Sequence, residues 1–267
     1  MAIGAARARH ACADVNVPYD IDPHRPKQIG LIALQADETI EADMRQLLPL
    51  HVEYMVSRVP SGTSVTPETL QDMAGHLTGA ARLMPRGAEM ACVAYGCTSG
   101  TAEIGADRIR DLVQAGVATP HVTEPVSALI AACRHLGITR LGLLSPYIAS
   151  VSDRFRAVLT ASDIEVVAFA SFNEPVEERV VRIAAQSVIA AAQDLGRDAQ
   201  VDALFLSCTN LRTLPAIPVI EAARGIPVLS SNLVLAWHMA QLAGETLAPD
   251  LPFRLATRDA TLAASSR

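Results

Sequence analysis

Short apolar runs alternate with amphipathic stretches along the chain from residue 28 onward. The apolar runs are rich in Val, Ile, Leu and Ala without strict alternation, which is typical of strands covered on both faces. They predict strands at 29–34, 52–59, 91–95, 139–144, 164–170, 201–206 and 226–229. The stretches between them predict helices at 38–48, 67–83, 101–114, 124–136, 149–161, 176–195, 211–224 and 233–243. This alternation predicts an α/β fold in which helices flank parallel sheets.

The pattern of strands and helices occurs twice. Three segments each resemble another segment about 110 residues further along, in the same order: 29–34 with 141–146, 94–99 with 205–210, and 119–122 with 226–229. The repetition predicts two similar lobes related by a pseudo-twofold axis, with the active site between them. We expect the first lobe at 28–137, completed by a C-terminal helix at 231–267, and the second lobe at 138–230. Residues 1–27 predict a loose N-terminal arm or a partner-binding extension.

The composition excludes several classes of function. The chain of 267 residues carries a formal net charge of -6, and 4% of its residues are aromatic. A basic face or a base-stacking platform for nucleic acid is therefore not expected. The apolar runs are shorter than the ~20 residues that cross a bilayer, so no membrane partner is expected either. The number of cysteines is odd, and residues 1–27 contain no apolar signal segment. Both features predict a cytoplasmic protein with reduced thiols.

Two of the cysteines, Cys97 and Cys208, occupy corresponding positions of the repeat. Each follows a predicted strand and precedes a predicted helix, and open α/β sheets bind ligands at that end of their strands. The two thiols are therefore expected to face one cleft from opposite lobes. The N-terminus of a following helix would lower the pKa of each thiol and favour the nucleophilic thiolate. Its N–H groups and the neighbouring hydroxyls could also hold a carboxylate, or the enolate formed from it.

A cysteine at a strand end can also be a small apolar core residue. We apply this interpretation to Cys92 and Cys133, which lie within a predicted strand and a predicted helix, while Cys12 lies in the arm. Cys92 and Cys97 lack the second pair of ligands that a zinc site needs. The sequence also contains no phosphate-binding loop and no glycine-rich dinucleotide motif. We therefore expect neither a metal nor a cofactor.

The segments around the two cysteines, Gly-Cys-Thr-Ser-Gly-Thr at 96–101 and Ser-Cys-Thr-Asn-Leu at 207–211, resemble the aspartate/glutamate racemase superfamily. The resemblance extends over residues 28–244 and includes Pro-Tyr-Ile at 146–148 and the segment 226–232. Within the superfamily, the chain is most similar to the branch of maleate cis-trans isomerases, arylmalonate decarboxylases and ectoine-utilisation proteins of the EutA type.

The resemblance implies cofactor-independent chemistry at a carbon atom next to a carboxylate. It implies that Cys97 is a nucleophile or base and that Cys208 is a proton donor or base. Arylmalonate decarboxylases carry glycine at the position of Cys97, which argues against a simple decarboxylase. The resemblance further implies a homo-oligomer that binds a small carboxylate, with substrate-binding positions at Gln35, Asp37, Thr98, Ser99, Tyr147, Thr209 and Asn210.

One position departs from the maleate isomerases, which carry an asparagine where this chain has Asp37. A carboxylate at this position would repel an anionic substrate. Two interpretations stay open: Asp37 meets an ammonium or amide group of the substrate, or it faces away and caps the next helix. The departure favours the ectoine-utilisation type over the maleate isomerases.

The sequence thus predicts an isomerase or racemase of a small carboxylate that works through Cys97 and Cys208. One alternative is a decarboxylase of the arylmalonate type, in which Cys208 alone is the proton donor. Another is a non-catalytic protein that has kept the cleft and binds a carboxylate without converting it.

Overall fold

Two parallel sheets of four strands form the centre of the computed structural model, which describes residues 16–257. The first sheet contains β1 Gln28–Leu34, β2 Glu53–Val59, β3 Met90–Gly96 and β4 Val122–Thr123. The second contains β5 Arg140–Ser145, β6 Glu165–Ser171, β7 Ala203–Leu206 and β8 Val228–Ser230. The strand order is β2-β1-β3-β4 in one sheet and β6-β5-β7-β8 in the other. This identical order confirms the predicted α/β fold of two similar lobes.

Helices flank both sheets. In the first half of the chain they are α1 Ile40–Leu47, α2 Pro67–Asp72, α3 Ala74–Ala81, α4 Thr98–Ile104, α5 Ala106–Gln114 and α6 Pro125–Leu136. In the second half they are α7 Ala149–Thr160, α8 Glu177–Val180, α9 Ala185–Asp194, α10 Ile217–Arg224 and α11 Ser231–Leu242. Ordinary start and stop signals mark several ends: Pro67 begins α2 after the capping residue Thr66, and Gly225 follows α10 in a left-handed conformation.

One glycine in each lobe reflects the repeat. Gly30 of β1 pairs with Val93 of β3, and Gly142 of β5 pairs with Leu204 of β7. A Cβ atom would lie 3.1 Å from Val93 Cγ2 at the first glycine and 2.6 Å from Leu204 Cδ2 at the second. The side chain of the neighbouring strand packs over the glycine in both sheets, so a larger residue at either position would displace the core.

Helix α11 joins the two halves of the chain. It follows β8 of the second sheet directly and packs against α1, α6 and β3 of the first lobe. Leu233, Val234, Leu235 and Ala236 are wholly buried, so the helix contacts protein on all its sides. Each large aliphatic side chain that is buried in this way contributes about 1.5–3 kcal/mol. The helix therefore stabilises the contact between the lobes.

Some predicted helices are interrupted. The helix predicted at 67–83 is broken at Met73, between α2 and α3. The helix predicted at 101–114 is broken at Gly105, whose φ of +92° is incompatible with a helix. The structure also divides 176–195 into α8 and α9. Hydrophobic periodicity does not mark a break of one or a few residues, because the apolar positions on both sides face the same core.

One further helix and one strand also differ from prediction. The helix predicted at 211–224 begins only at Ile217, because Pro215 disfavours helical geometry at the residue before it. The strand Val122–Thr123 was not predicted, since two residues are too short to carry a pattern.

The C-terminal helix predicted at 231–267 is too long. Helix α11 ends at Leu242. Gly244 has a φ of +72°, which is incompatible with a continuing α-helix. Residues 258–267 of the predicted helix lie outside the described residues.

Only part of the predicted arm at 1–27 is described. Residues 16–27 form neither helix nor strand, and all of them are exposed, whereas burial begins at Gln28, the first residue of β1. Residues 1–15, which include Cys12, lie outside the described residues. Across the part of the chain that is described, no helix is both long enough and apolar enough to span a bilayer.

Candidate active site

A small pocket lies where the two lobes meet. Each half of the chain contributes to its lining: Leu34, Asp37, Cys97, Thr98 and Ser99 from the first, and Tyr147, Glu177, Cys208, Thr209 and Asn210 from the second. These residues lie at or beyond the carboxyl ends of β1, β3, β5, β6 and β7. Ligands of α/β sheets bind at this edge, so the pocket is the candidate active site.

The four cysteines that the structure describes are free and buried. Cys97 and Cys208 line the pocket, whereas Cys92 and Cys133 are wholly buried in the core. A wider surface groove beside Leu50 contains none of these cysteines. We therefore assign the chemistry to the small pocket.

Cys97 directly follows β3 and is the N-terminal capping residue of α4. Its extended backbone, with φ −150° and ψ 116°, allows its Sγ to accept a hydrogen bond from the Gly100 N–H at 3.1 Å. A Cβ atom at position 100 would lie 2.9 Å from Cys97 Sγ. The second glycine of the Gly-Cys-Thr-Ser-Gly motif therefore lets the helix begin directly against the thiol.

Cys208 follows β7, but no helix begins there. Its φ of +103° is a left-handed value that residues with a side chain rarely adopt. The chain turns after it, and the Asn210 N–H donates to Cys208 Sγ at 3.3 Å. The Cys208 N–H donates to Ser231 Oγ at 2.9 Å, which supports this backbone conformation. The prediction that a helix starts directly after both cysteines is therefore wrong for the second lobe.

A chain of hydrogen bonds connects Cys208 to a buried carboxyl group. The Tyr147 hydroxyl donates to Glu177 Oε1 at 2.7 Å and lies 2.9 Å from Cys208 Sγ. A phenol has one proton, so while Tyr147 donates to Glu177 the thiol is the donor in the second contact. Asn210 Nδ2 donates to Glu177 Oε2 at 3.1 Å, so both carboxyl oxygens have a partner. The network therefore favours Cys208 as a neutral thiol.

Asp37 contributes a second buried carboxyl group. Its Oδ1 accepts hydrogen bonds from the N–H groups of Thr39 and Ile40, each at 2.8 Å, at the start of α1. Its Oδ2 is buried and makes no hydrogen bond to any residue that the structure describes. The two interpretations of Asp37 are therefore compatible, because one oxygen caps the helix while the other is available to a ligand.

Burial raises the pKa of both thiols. The pKa of Cys97 rises to about 12, with the Gly100 N–H opposing the rise and the charge of Glu177 adding to it. The pKa of Cys208 rises well above its usual range, through burial and then through the charge of Glu177. The predicted lowering of the thiol pKa is wrong, because nearby N–H groups do not offset the loss of water. Burial is also the main cause that raises the pKa of Asp37 and of Glu177.

Hydroxyl groups tie the two halves of the pocket together. Thr98 Oγ1 and Ser231 Oγ lie 2.8 Å apart, and Ser231 also accepts the Cys208 N–H. The Thr209 hydroxyl donates to the carbonyl oxygen of Gly96 at 3.2 Å. Each turn that carries a thiol is therefore hydrogen-bonded to the turn or strand end of the other lobe.

The pocket offers thiols, hydroxyls and carboxyl groups but no fixed positive charge. None of its lining residues in the described chain is Lys, Arg or His. Within residues 16–257, no group of three or more His, Cys, Asp or Glu side chains is arranged to hold a metal ion. The arrangement can donate, accept and relay protons at two opposed positions.

Most of the residues predicted from sequence meet in this pocket: Asp37, Cys97, Thr98, Ser99, Tyr147, Cys208, Thr209 and Asn210. Gln35 does not line it, because its side chain is exposed where the chain leaves β1. Sequence reasoning missed Glu177 and Ser231. A signal for Glu177 was available, since the loop after β6 must reach the same sheet edge as the loops after β5 and β7.

The chain resembles known proteins in both sequence and fold. A profile of the arylmalonate decarboxylase family matches residues 29–255. The arylmalonate decarboxylase of Bordetella bronchiseptica is 30% identical over 226 residues, which is 81% of this chain and 90% of the relative. The maleate isomerase of Nocardia farcinica is 27% identical over 254 residues, or 90% of this chain and 99% of the relative. The crystal structure of the maleate isomerase Iso from Pseudomonas putida S16 has a TM-score of 0.77 at 22% identity, covering 86% of this chain and 98% of that one.

Proposed function

This chain belongs to the arylmalonate decarboxylase family, and from that premise we propose that it is a cofactor-independent isomerase or racemase of a small carboxylate. Its sequence relatives include an arylmalonate decarboxylase and maleate isomerases, whose names identify small carboxylates as substrates. The observation that carries the proposal is the pair of thiols, one from each lobe, in a single pocket. In the proposed reaction Cys97 and Cys208 act on opposite faces of one substrate carbon.

The contacts of the two thiols support different roles. Cys97 is the base or nucleophile, because the Gly100 N–H hydrogen bond stabilises its thiolate. Cys208 is the proton donor, because the Tyr147 hydroxyl that donates to Glu177 can accept the thiol proton, and because the charge of Glu177 is, after burial, the strongest influence that raises its pKa. One thiol must be deprotonated and the other protonated if Cys97 is to accept a proton while Cys208 donates one.

As a racemase, the enzyme moves two protons. The Cys97 thiolate removes the proton from the carbon next to the carboxylate, and the electron pair of that C–H bond moves into the carboxylate to form an enediolate. The Cys208 thiol then gives its proton to the opposite face of the carbon. Cys97 ends as a thiol and Cys208 as a thiolate, so protons and charge balance.

As a cis-trans isomerase, the enzyme uses the same two groups. The Cys97 thiolate adds to one carbon of the double bond, and Cys208 protonates the other carbon. Rotation about the resulting single bond, return of that proton to Cys208 and loss of the Cys97 thiolate then give the trans product. Thr98, Ser99, Thr209, Asn210 and Tyr147 line the pocket around these thiols and are proposed to hold the substrate carboxylate.

Proton NMR of the protein in deuterated water tests the reaction class. The panel of substrates contains maleate, aspartate, phenylmalonate and ectoine-breakdown amino acids. We expect deuterium at a carbon next to a carboxylate, or conversion of a cis to a trans diacid. Binding of a ligand without either signal, while both thiols are reduced, would instead favour a non-catalytic binding protein.

Single substitutions test the assignment of the two thiols. Cys97→Ala and Cys208→Ala should each lower turnover by roughly a thousandfold or more, as expected when one member of a catalytic unit is removed. Cys133→Ala is the matched control, because Cys133 is a wholly buried cysteine that does not line the pocket. Full activity in either pocket variant, with a normal melting temperature, would contradict the two-thiol mechanism.

A decarboxylase of the arylmalonate type is the second candidate, and the 30% identity to such an enzyme favours it. In that reaction Cys208 alone protonates the enediolate that remains after loss of carbon dioxide. The Cys208–Tyr147 contact fits a single proton donor equally well. Release of carbon dioxide from phenylmalonate that survives Cys97→Ala but not Cys208→Ala would identify this activity.

Two finer expectations belong to the same proposal. The aspartate at position 37 favours a substrate of the ectoine-utilisation type, and conversion of an ectoine-breakdown amino acid in the panel would support it. A homo-oligomer is expected from the resemblance, and light scattering of the purified protein would show a mass above the 28.3 kDa of one chain.

A further inference from the structure

We propose that Asp37 and Glu177 form a cation subsite in the pocket, so that the substrate is a small carboxylate that bears a protonated nitrogen. This inference rests on the proposed function, because it names the substrate class of the same pocket. An amino acid fits this description, whereas a dicarboxylate does not.

The free oxygen of Asp37 is the first support. Asp37 is 3% exposed and lines the pocket, and its Oδ2 makes no hydrogen bond to any residue that the structure describes. The Thr209 hydroxyl lies near enough to Asp37 to lower its pKa as a hydrogen-bond donor, but in the structure this hydroxyl donates to the carbonyl oxygen of Gly96. A buried polar atom without a partner is costly in a folded protein, and a ligand donor would satisfy it. A protonated nitrogen supplies that donor together with a compensating charge.

Glu177 is the second support. It is a further buried carboxyl group, and it lines the same pocket as Asp37. Asn210 and Tyr147 each donate to one of its oxygens, which fixes its position. Each carboxylate oxygen has a second acceptor site, so both contacts are compatible with an additional donor from a ligand.

The absence of positive charge among the described lining residues is the third support. Arg58 is the cation that acts on Asp37, but it binds the carbonyl oxygens of Leu34 and Asp37 and the carboxylate of Glu41, and it does not line the pocket. A dicarboxylate would therefore bring two negative charges next to two carboxyl groups with no counter-charge. A zwitterion brings its own positive charge to these groups, while its carboxylate can face the hydroxyls of Ser99 and Thr98.

An organic cation fits the pocket better than a metal ion. Across residues 16–257 the structure contains no cluster of three or more acidic, histidine or cysteine side chains arranged as metal ligands. The subsite therefore selects an ammonium group, or a related protonated nitrogen, of the substrate.

Three matched series of ligands test this subsite directly. They are the 2-amino acids from alanine to norleucine, the 2-hydroxy acids of the same chain lengths, and the dicarboxylates from malonate to adipate. Binding is measured by calorimetry with the reduced full-length protein. We expect members of the first series to bind about tenfold or more tightly than their 2-hydroxy counterparts, and we expect dicarboxylates to bind most weakly.

Charge-neutral variants connect this preference to the two carboxyl groups. Asp37→Asn keeps a helix-capping side chain, and Glu177→Gln keeps an acceptor for Tyr147. Each should reduce the preference for the amino acid over the dicarboxylate by about tenfold. Glu221→Gln is the matched control, since Glu221 is a buried carboxyl group of the second lobe that does not line the pocket. Circular dichroism and melting temperatures confirm that all three variants fold.

The outcomes separate the subsite from the proposed function. Amino acids that bind without deuterium exchange would support the subsite and contradict the catalytic proposal. Turnover of maleate with equal or tighter binding of dicarboxylates would support the catalytic proposal and overturn the subsite. An unchanged preference in folded Asp37→Asn and Glu177→Gln, or binding of none of the three series, would also overturn it.

Discussion

The two cysteines lie at corresponding positions of two sheets with identical strand order, yet their local contacts differ. Cys97 has an extended backbone and caps a helix, whereas Cys208 has a φ of +103° and begins a turn. Both Sγ atoms accept a backbone N–H, from Gly100 at Cys97 and from Asn210 at Cys208, but Cys208 Sγ also contacts Tyr147 and, through it, Glu177. The duplicated scaffold thus determines where the two thiols lie. The segments around each thiol determine which protonation state it favours.

The tyrosines beside the two thiols show the same contrast. The Tyr95 hydroxyl, which is near Cys97, donates to Met73 Sδ at 3.5 Å, and a thioether is a weak acceptor. The Tyr147 hydroxyl, next to Cys208, donates to a carboxyl oxygen at 2.7 Å. A hydroxyl between a thiol and a carboxyl group can pass a proton along the chain of hydrogen bonds, whereas Tyr95 has no such acceptor.

Loss of the Tyr147 hydroxyl should have the largest effect on this contrast. Tyr147→Phe disconnects Cys208 from Glu177, and we expect kcat to fall roughly hundredfold, as for loss of assistance in proton transfer. Tyr95→Phe, the matched change beside Cys97, should lower kcat by less than about tenfold, because the Tyr95 hydroxyl contacts Cys97 and a thioether and connects the thiol to no carboxyl group among its partners in the described residues. Steady-state kinetics of both variants measure the difference. Equal losses of kcat at normal melting temperatures would contradict the unequal roles.

The two thiols should also differ in the rate at which they react with iodoacetamide, by a smaller factor than the loss of kcat in Tyr147→Phe. Both pKa values lie above the usual range, so the thiolate fraction of each rises about tenfold per pH unit between pH 7 and 9. After burial, the strongest influence on the pKa of Cys97 is the Gly100 N–H, which lowers it, whereas for Cys208 it is the charge of Glu177, which raises it. Cys97 should therefore react faster at every pH. Mass spectrometry of peptides after timed alkylation measures both rates. Faster reaction of Cys208 would reverse the assignment of the two thiols. Rates that do not change with pH would contradict their raised pKa values.

The smallest expected effect is on the pH dependence of stability, and it arises from a difference between the first helices of the two lobes. Asp43 of α1 is buried beside Asn232, whereas the position that corresponds to it in α7 carries Phe155, packed against Phe205. Burial raises the pKa of Asp43 from 3.8 to about 6, so the folded chain holds this proton more tightly than the unfolded chain. The resulting stability is present at low pH and is lost as the pH rises through 6, by about 1–3 kcal/mol.

Asp43→Asn should remove this dependence. Its free energy of unfolding, relative to that of the wild type, should increase between pH 4.5 and pH 8, because the variant has no charge to bury. Urea unfolding at both pH values measures the change. A constant difference between variant and wild type across this range would show that Asp43 does not titrate as the structure implies.

Repetition made the fold and the two thiols predictable from the sequence. Apolar runs recur with the same spacing, and the glycines at 30 and 142 and the cysteines at 97 and 208 recur with them. Each of these residues has the same place in both lobes, so its interpretation in one lobe supports its interpretation in the other. Seven of the eight strands, the parallel sheets and the meeting of the two thiols could be derived in this way, whereas the two-residue strand β4 could not.

Contacts that occur in one lobe alone could not be derived. Glu177 is the first residue of α8, which follows β6. The segment before it pairs with the first lobe at Val176 and Ser64, and the first lobe carries Val65, not an acid, next to this pair. The backbone of Cys208 depends on Ser231, which is distant in sequence. The thiol pKa depends on burial by both lobes, which no local motif reports.

The central claim is that two thiols act on opposite faces of one carbon atom. Its most direct test is proton NMR in deuterated water with Cys97→Ala and Cys208→Ala separately, using each stereoisomer of the substrate in turn. Cys208→Ala should lose interconversion of the isomers but still exchange the proton of the one isomer that faces Cys97. A single-cysteine variant that interconverts the isomers, or that exchanges both of them equally, would contradict the claim.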